Sequence, residues 1–318
     1  MARRDTHLPG RRPGASRPGP SRPALLAKGV AAAGAAAAAY MLFEAQWVEC
    51  RQAELAVPGL PAPWEGLTIL HLADIHAGVF GVNERSLAKV VDWAEPLIPD
   101  LVILTGDNLG DPRLVGPCLE LLSRLQPPLG MFAVTGNHEY GLSKGPLARP
   151  RDTRAVWAEA GITLLSDTCV ALPARAGTSI TLCGADYITG GFSLVSRAPT
   201  EGAPPATTFP ILLVHEPPEP DSPLFGRFPL AFAGHTHGGQ LRMITPKGMR
   251  VISREEHGYL LGVHPWGAGT LVVTRGVGTS FLPFRLLTRP EATLWRLVYT
   301  STSSESSQTN SDQGEAHD

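Results

Sequence analysis

At 318 residues and 43% hydrophobic content the chain can bury one large core, and a single α/β catalytic domain with tails is expected. A formal net charge of -2 supplies no global basic field, which argues against nucleic acid as a partner. Cys50, Cys118, Cys169 and Cys183 show no CxxC spacing, which excludes a zinc knuckle built from them.

The charge is unevenly placed. Arg3, Arg4, Arg11, Arg12, Arg17, Arg22 and Lys28 precede Val30 among Pro and Gly, with Asp5 the only acid, so residues 1–23 are expected to be a disordered basic tail. Residues 29–43 are uncharged and dominated by Ala. Taken as 24–48, with Lys28 snorkelling at the flank, the segment approaches the roughly 20 residues that span a bilayer. Basic residues ahead of an apolar run favour a single span in the cytoplasmic membrane with the catalytic domain outside the cytoplasm. A signal anchor is the leading reading; a cleaved signal peptide and a soluble Ala-rich helix are the alternatives. Against cleavage, Phe43-Glu44-Ala45 is not a small-x-small site; against spanning, Ala is only marginally hydrophobic.

After the anchor, 67–73 reads as a buried strand delivering Asp74 at its end. Leu87, Val90, Val91 and Ala94 recur at helical spacing, with Asn83 as the expected N-cap. A strand at 101–105 ends in Gly106-Asp107, a helix covers 115–125, and a strand at 131–135 ends in Gly136-Asn137-His138. Strand, helix, strand, helix, strand implies right-handed crossovers and a parallel sheet with its functional groups on one edge. Residues 153–160 look helical. Residues 168–172 and 179–183 form an expected hairpin about Gly177, which sets Cys169 across from Cys183; a disulfide there requires export. Cys50 and Cys118 read as buried free thiols. A Pro- and Gly-rich connection at 198–205 leads to a strand at 210–214 that ends at His215, and 230–233 is a short strand ending at Gly234. Residues 271–274 and 293–299 read as strands of a second sheet. Residues 300–318 form a solvated polar tail, leaving 54–299 as the catalytic domain.

Five polar islands thus end apolar runs: Asp74-Ile75-His76, Gly106-Asp107-Asn108, Gly136-Asn137-His138-Glu139, Val214-His215 and Gly234-His235-Thr236-His237. In Asp74-x-His76 and His235-x-His237, ligands two apart on extended backbone would share a face. Asp107 from the neighbouring strand is placed to bridge two cations, and Gly106 lets the chain turn beside it. Singly, such islands are ordinary turns or packed histidines. Their order at successive strand ends is what carries the chemistry. Mixed nitrogen and oxygen donors suit Mn, Fe or Zn better than Ca or Mg, and two such cations can activate a water and clamp a phosphoryl group. His71, within its strand, reads as a packed histidine. Asp186, Tyr187, Arg242, Arg275 and Arg285 are candidates for phosphate contact, with surface salt bridges the alternative.

The series Asp74-x-His76, Gly106-Asp107, Gly136-Asn137-His138-Glu139, His215 and Gly234-His235-Thr236-His237 resembles the calcineurin-like metallophosphoesterase superfamily. With Arg275-Gly-Val-Gly278 and Pro283-Phe-Arg285, the motif Gly234-His-Thr-His-Gly-Gly-Gln240 is similar to the bacterial membrane-associated YkuE/YaeI-like branch. The resemblance implies a four-layer αββα sandwich of two mixed β-sheets flanked by helices. It implies that Asp74, His76, Asp107 and His237 hold one metal, and that Asp107, Asn137, His215 and His235 hold the other. His138 resembles the residue that stabilises and protonates the leaving oxygen, and Glu139 one that orients His138. Ala73 stands where relatives commonly carry Ser, which costs one outer hydrogen bond but no ligand. The expected activity is dinuclear metal-dependent hydrolysis of a phosphoester or pyrophosphate. An anchored enzyme suggests a phosphorylated lipid substrate, such as the UDP-2,3-diacylglucosamine of lipid A biosynthesis, although that substrate is cytoplasmic and conflicts with an exported domain unless the protein is peripheral on the cytoplasmic face. A general phosphodiesterase or phosphomonoesterase acting on soluble metabolites or cell-wall phosphates is the alternative. A catalytically silent anchored binding protein is the reading from another class, which the complete ligand set disfavours.

Overall fold

The computed structural model describes residues 22–110, 115–141, 153–191, 193–194, 208–246, 248–252 and 258–300. Of the expected tails, 1–23 and 300–318, residues 1–21 and 301–318 lie outside these, as does the 198–205 connection; residues 22 and 23 instead open a helix and residue 300 ends a strand. The chain divides into two units, the first ending at Tyr40 and the second beginning at Met41. The described part of the first, residues 22–40, lies wholly in helix α1 (Arg22–Glu44), whose last four residues belong to the second. Its Leu25–Glu44 portion, 20 residues, is long and apolar enough to cross a membrane, and none of its apolar window is buried.

The second unit holds two six-stranded sheets. In the first, β1 (Glu49–Pro58), β14 (Glu291–Thr300), β2 (Thr68–Leu72), β3 (Leu101–Thr105), β4 (Met131–Val134) and β5 (Thr163–Leu164) lie side by side in that order. Strands β2 to β5 are parallel, joined through α2 (Gly81–Ala94), α3 (Gly116–Ser123) and α4 (Arg154–Glu159). The second sheet runs β12 (Gly262–Trp266), β13 (Gly269–Val273), β9 (Leu230–Ala233), β8 (Thr208–Leu213), β7 (Ser179–Gly184), β6 (Thr168–Ala171). A separate hairpin, β10 (Arg242–Thr245) and β11 (Gly248–Val251), belongs to neither sheet.

Strands covered on both faces read as continuous apolar runs, as β3 and β8 do. One face of each sheet meets the other: Ile69, Ile103, Val134 and Trp295 pack in one core with Leu182, Ile211, Leu213 and Phe232. The other face of the first sheet, through Leu70, Leu72, Val102 and Leu104, packs on Leu87, Val91, Leu122 and Trp157 of the three helices. The outer face of the second sheet is covered, among the described residues, by segments around Leu194 and Leu224–Phe228 together with Trp266. This is the α/β layered architecture expected, with two mixed sheets.

Three expectations need correction. Strand 293–299 does not join the second sheet: β14 inserts between β1 and β2 of the first, parallel to β1 and antiparallel to β2. Its partner β1 is a strand the sequence reading lacks, because its alternating burial is not matched by alternating polarity: exposed Ala56 stands between buried Leu55 and Val57. Asn83 is not an N-cap, since α2 begins at Gly81 after Phe80. Its amide is buried and donates to the carbonyls of His76 and Thr279, while its oxygen accepts from the Thr279 amide and hydroxyl. The cysteine hairpin forms as expected. Ala176 and Gly177 make its left-handed turn (φ 46° and 81°), Cys169 registers with Cys183, and their sulfurs are bonded. Cys118 is a buried thiol and Cys50 a half-buried one.

Because Asn83 satisfies buried groups on two loops, Asn83→Ala should destabilise the detergent-solubilised chain by about 2–4 kcal/mol in urea unfolding. A cost within roughly 0.5 kcal/mol, the range of an ordinary surface substitution, would show that those groups find water or other partners.

Candidate metal centre

The five islands meet where the C-terminal ends of β2, β3 and β4 of one sheet face those of β8 and β9 of the other. Each strand stops because its next residue leaves the ladder. Asp74, His76, Asp107, His235 and His237 all adopt left-handed backbone, with φ of 51°, 49°, 52°, 70° and 51°. That conformation is uncommon for residues with a side chain and concentrates at functional sites. It corrects the expectation that Asp74-x-His76 and His235-x-His237 present their ligands from extended backbone. Tight loops aim these groups, while Thr236 turns away to donate to the Leu260 carbonyl.

The donors converge in overlapping groups. Ligand atoms of Asp74, His76 and His237 lie within 4.8 Å of one another, as do those of Asp107, His215 and His235. His76, Asp107 and His138 form a third such group, so Asp107 stands between the two ends of the site. In the first group His76 Nε2 lies 3.0 Å from His237 Nε2, which in turn lies 3.5 Å from Asp74 Oδ1. In the second, His215 Nε2 is 3.4 Å from Asp107 Oδ2, 3.3 Å from Asn137 Oδ1 and 3.1 Å from His235 Nδ1. His138 Nε2 is 3.8 Å from Asp107 Oδ2. The structure therefore brings together every residue expected to ligate, together with His138.

These side chains are held by the backbone around them. The His235 amide donates to Asp74 Oδ2, the His138 amide to Asp107 Oδ1, and His215 Nδ1 pairs with the Thr105 carbonyl, leaving Nε2 turned inward. Two glycines make room. A Cβ on Gly106 would sit 2.5 Å from the His215 ring, and one on Gly136 would sit 2.3 Å from Asp107 Oδ1.

Glu139 is buried and does something other than orient His138. Its two oxygens accept from the amides of Asp107, Asn108, Leu109 and Gly136, tying the loop after β3 to the loop after β4. Arg285 and Arg275 are likewise not phosphate contacts. Arg285 is wholly buried, and its guanidinium donates to the carbonyls of Gly278, His237, Thr288 and Arg275, with Nη2 3.4 Å from His237 Nδ1. Burial lowers its pKa to about 9. Arg275 pairs with Glu291 and Glu49. His71 is the packed histidine expected: it is buried against Phe232 and bonded to Thr105 Oγ1, and burial brings it down to about 3. Asp186 accepts from Tyr140 and Ser166, and the Tyr187 ring lies 5.9 Å from that of His215.

The electrostatics fit a cation. Burial pushes the Asp74 carboxyl up to about 7, with the Asp107 charge adding to it, and Asp74 Oδ1 is buried without a hydrogen-bond partner. Burial brings His76 down to about 3 and His237 well below the ordinary imidazole range, the neutral form that ligates. Burial opposes the charges of Asp107 and His215, but their mutual attraction wins: Asp107 is held well below the carboxylate range and His215 is raised to about 10. A desolvated carboxylate with one oxygen lacking a hydrogen-bond partner, neutral imidazoles at His76 and His237 and no thiolate form a donor set for Mn, Fe or Zn.

A cavity of about 310 Å³ opens over Asp107, Asn137, His138, His235 and His237. Its other walls, Gln240, Leu241, Leu260, Ser280, Phe281 and Leu282, were not legible as site residues. Gln240 exchanges hydrogen bonds with Ser280, bracing the Phe281 loop beside the His138 ring. The one sequence signal was an apolar pair set in a Gly-, Ser- and Pro-rich loop.

Residues 67–239 match the calcineurin-like phosphoesterase family. The chain is 26% identical to the uncharacterized metallophosphoesterase YkuE of Bacillus subtilis, over 81% of this chain and 88% of that one. It is 31% identical to the phosphodiesterase YaeI of Escherichia coli, over 72% of this chain and 82% of that one. A zebrafish (Danio rerio) transmembrane protein with metallophosphoesterase domain is 30% identical over 76% of this chain and 55% of its own length. With its histidine and aspartate clusters at the sheet edges, the chain belongs to the calcineurin-like phosphoesterase family and is a metal-dependent phosphoester hydrolase.

Proposed function

We propose that this protein hydrolyses a phosphodiester or pyrophosphate on a membrane-associated substrate, with Asp74, His76, Asp107 and His237 holding one metal ion and Asp107, Asn137, His215 and His235 holding the other. The observation that carries the assignment is Asp107, buried between both donor groups and fixed by the His138 amide at 2.7 Å. Bound there, two cations of the Mn, Fe or Zn class would supply Lewis-acid polarisation of a phosphoryl oxygen and a water of lowered pKa. The chain's own residues do the rest. Asp107 and the imidazoles would hold the two cations and so set where a phosphoryl group could bind. His138, which lines the cavity with 13% of its side chain exposed, donates a proton to the departing leaving group.

Two features support a membrane-associated substrate and a domain outside the cytoplasm. The apolar α1 leads directly into the domain, with basic residues before it, and the Cys169–Cys183 disulfide suits an oxidising compartment. The lipid-linked class includes UDP-2,3-diacylglucosamine, which would place the enzyme on the cytoplasmic face instead. A C-terminal reporter fusion should be active only as an exported type; activity of the cytoplasmic type alone would move the protein to that face.

Asp107→Asn should lose at least one metal ion by elemental analysis and nearly all hydrolysis of bis(p-nitrophenyl) phosphate. Full metal content with normal turnover contradicts the bridging assignment.

His138→Ala should keep both metals and lose about 10²–10⁴-fold in rate on a substrate with a poor leaving group, and less with p-nitrophenolate. Equal losses on both substrates would remove the acid role.

A further inference from the structure

The β10–β11 hairpin is an unusual object on this surface. It pairs with neither sheet, and an isolated two-stranded hairpin is marginal in water. Yet it carries Met243, Ile244, Met249 and, just beyond it, Ile252 as exposed side chains, Ile244 at 73%. Phe281 and Leu282, 62% and 50% exposed, lie on the wall of the catalytic cavity itself. Arg242 and Arg250 punctuate the hairpin. Scattered exposed apolar residues are ordinary, but a cluster of them with cations, next to an active-site mouth, marks a contact surface.

What covers this surface follows from where the hairpin is rooted. The Arg242 amide donates to the Leu286 carbonyl, and Leu241 bridges to Leu286. One residue earlier the Arg285 amide donates to the carbonyl of Met41, in the last turn of α1, and Glu44 Oε1 accepts from the Thr288 amide. The segment 285–288 therefore ties the hairpin's root to the end of the helix that is long and apolar enough to cross a membrane. That end carries the signature of a bilayer interface. Phe43 and Trp47 are exposed with ring centroids 5.6 Å apart, and the Arg289 guanidinium stacks on Trp47 at 4.0 Å.

We propose that the β10–β11 hairpin and the Phe281-Leu282 loop dock on the lipid bilayer and seat the mouth of the catalytic cavity at its surface. Apolar tips enter the headgroup and acyl boundary, and Arg242 and Arg250 meet anionic headgroups. A substrate is then taken from the bilayer with its phosphoester at the metal centre and its hydrocarbon chain along Phe281 and Leu282; this last step rests on the proposed function, the docking does not.

The test uses the full chain reconstituted in vesicles of phosphatidylethanolamine and phosphatidylglycerol. An environment-sensitive fluorophore is attached through Ile244→Cys in a Cys50→Ser background, with Val263→Cys, exposed on edge strand β12, as the aqueous control. Nitroxide-labelled lipids should quench the label at position 244 and spare the one at 263. Quenching of both by aqueous iodide alone overturns the docking, and so does a 244 label shielded from both quenchers, which would mean that a second copy or a protein partner covers the hairpin. Separately, Ile244→Ser/Met249→Ser should leave turnover of soluble bis(p-nitrophenyl) phosphate unchanged and slow that of a vesicle-resident lipid phosphodiester about tenfold. Equal turnover of the vesicle diester by variant and wild type overturns the role of docking in substrate capture. Lipid quenching at 244 with no turnover of the vesicle diester by the wild type refutes the substrate reading and leaves the docking intact.

Discussion

The site depends on one buried carboxylate that is not itself among the proposed ligands. Glu139 accepts hydrogen bonds from four backbone amides, at Asp107, Asn108, Leu109 and Gly136. A loop leaving a strand end exposes amides with no ladder partner, and burying them unpaired costs about 1–3 kcal/mol each. Glu139 meets that demand for two adjacent strand ends at once. It thereby fixes the distance between Asp107, which joins the two donor groups, and Asn137 and His138, which follow β4. Burial and the Asp107 charge push Glu139 up to about 7, a measure of how much the fold concedes to keep an acceptor in this place.

Arg285 plays the complementary part on the other side. Its donors satisfy carbonyls of the loops that carry His237, Gly276 and Gly278, so a buried cation stiffens the loops around Asp74 and His237 as a buried anion stiffens those around Asp107. Neither ion has an ion-pair partner of its own in these contacts. Both are compensated by backbone dipoles, which suits a centre whose remaining charges are reserved for metal.

Much of this was readable from the chain. The parallel strands ending at Asp74, Asp107 and His138 follow from apolar runs stopped by polar groups, and the cysteine hairpin from two short runs set about Gly177. The proposed ligand set was legible because five islands recur in order, although their backbone was misread. Asp74, His76, His235 and His237 sit on left-handed turns, and nothing in Asp-x-His or His-x-His spacing distinguishes a turn from an extended segment. The placement of β14 was hidden for another reason: its position between β1 and β2 is set by long-range pairing, and β1 shows little pattern of its own. Glu139 and Arg285 were recognised as polar residues near the site but given the wrong partners. A side chain that bonds backbone leaves no residue-type signature on the other half of the pair. Gln240 and the Phe281 loop were missed because their role comes from walls assembled across about forty residues of chain.

Glu139 sets the geometry of the metal centre through the four backbone amides that donate to it. Calorimetric titration of the metal-free full chain with Mn²⁺, comparing wild type with Glu139→Gln, tests it most directly, because Gln keeps the shape but turns an amide donor toward one pair of amides. Metal affinity should fall about 10–100-fold while the far-ultraviolet circular dichroism stays native. Unchanged affinity and stoichiometry in a folded Glu139→Gln protein would contradict it.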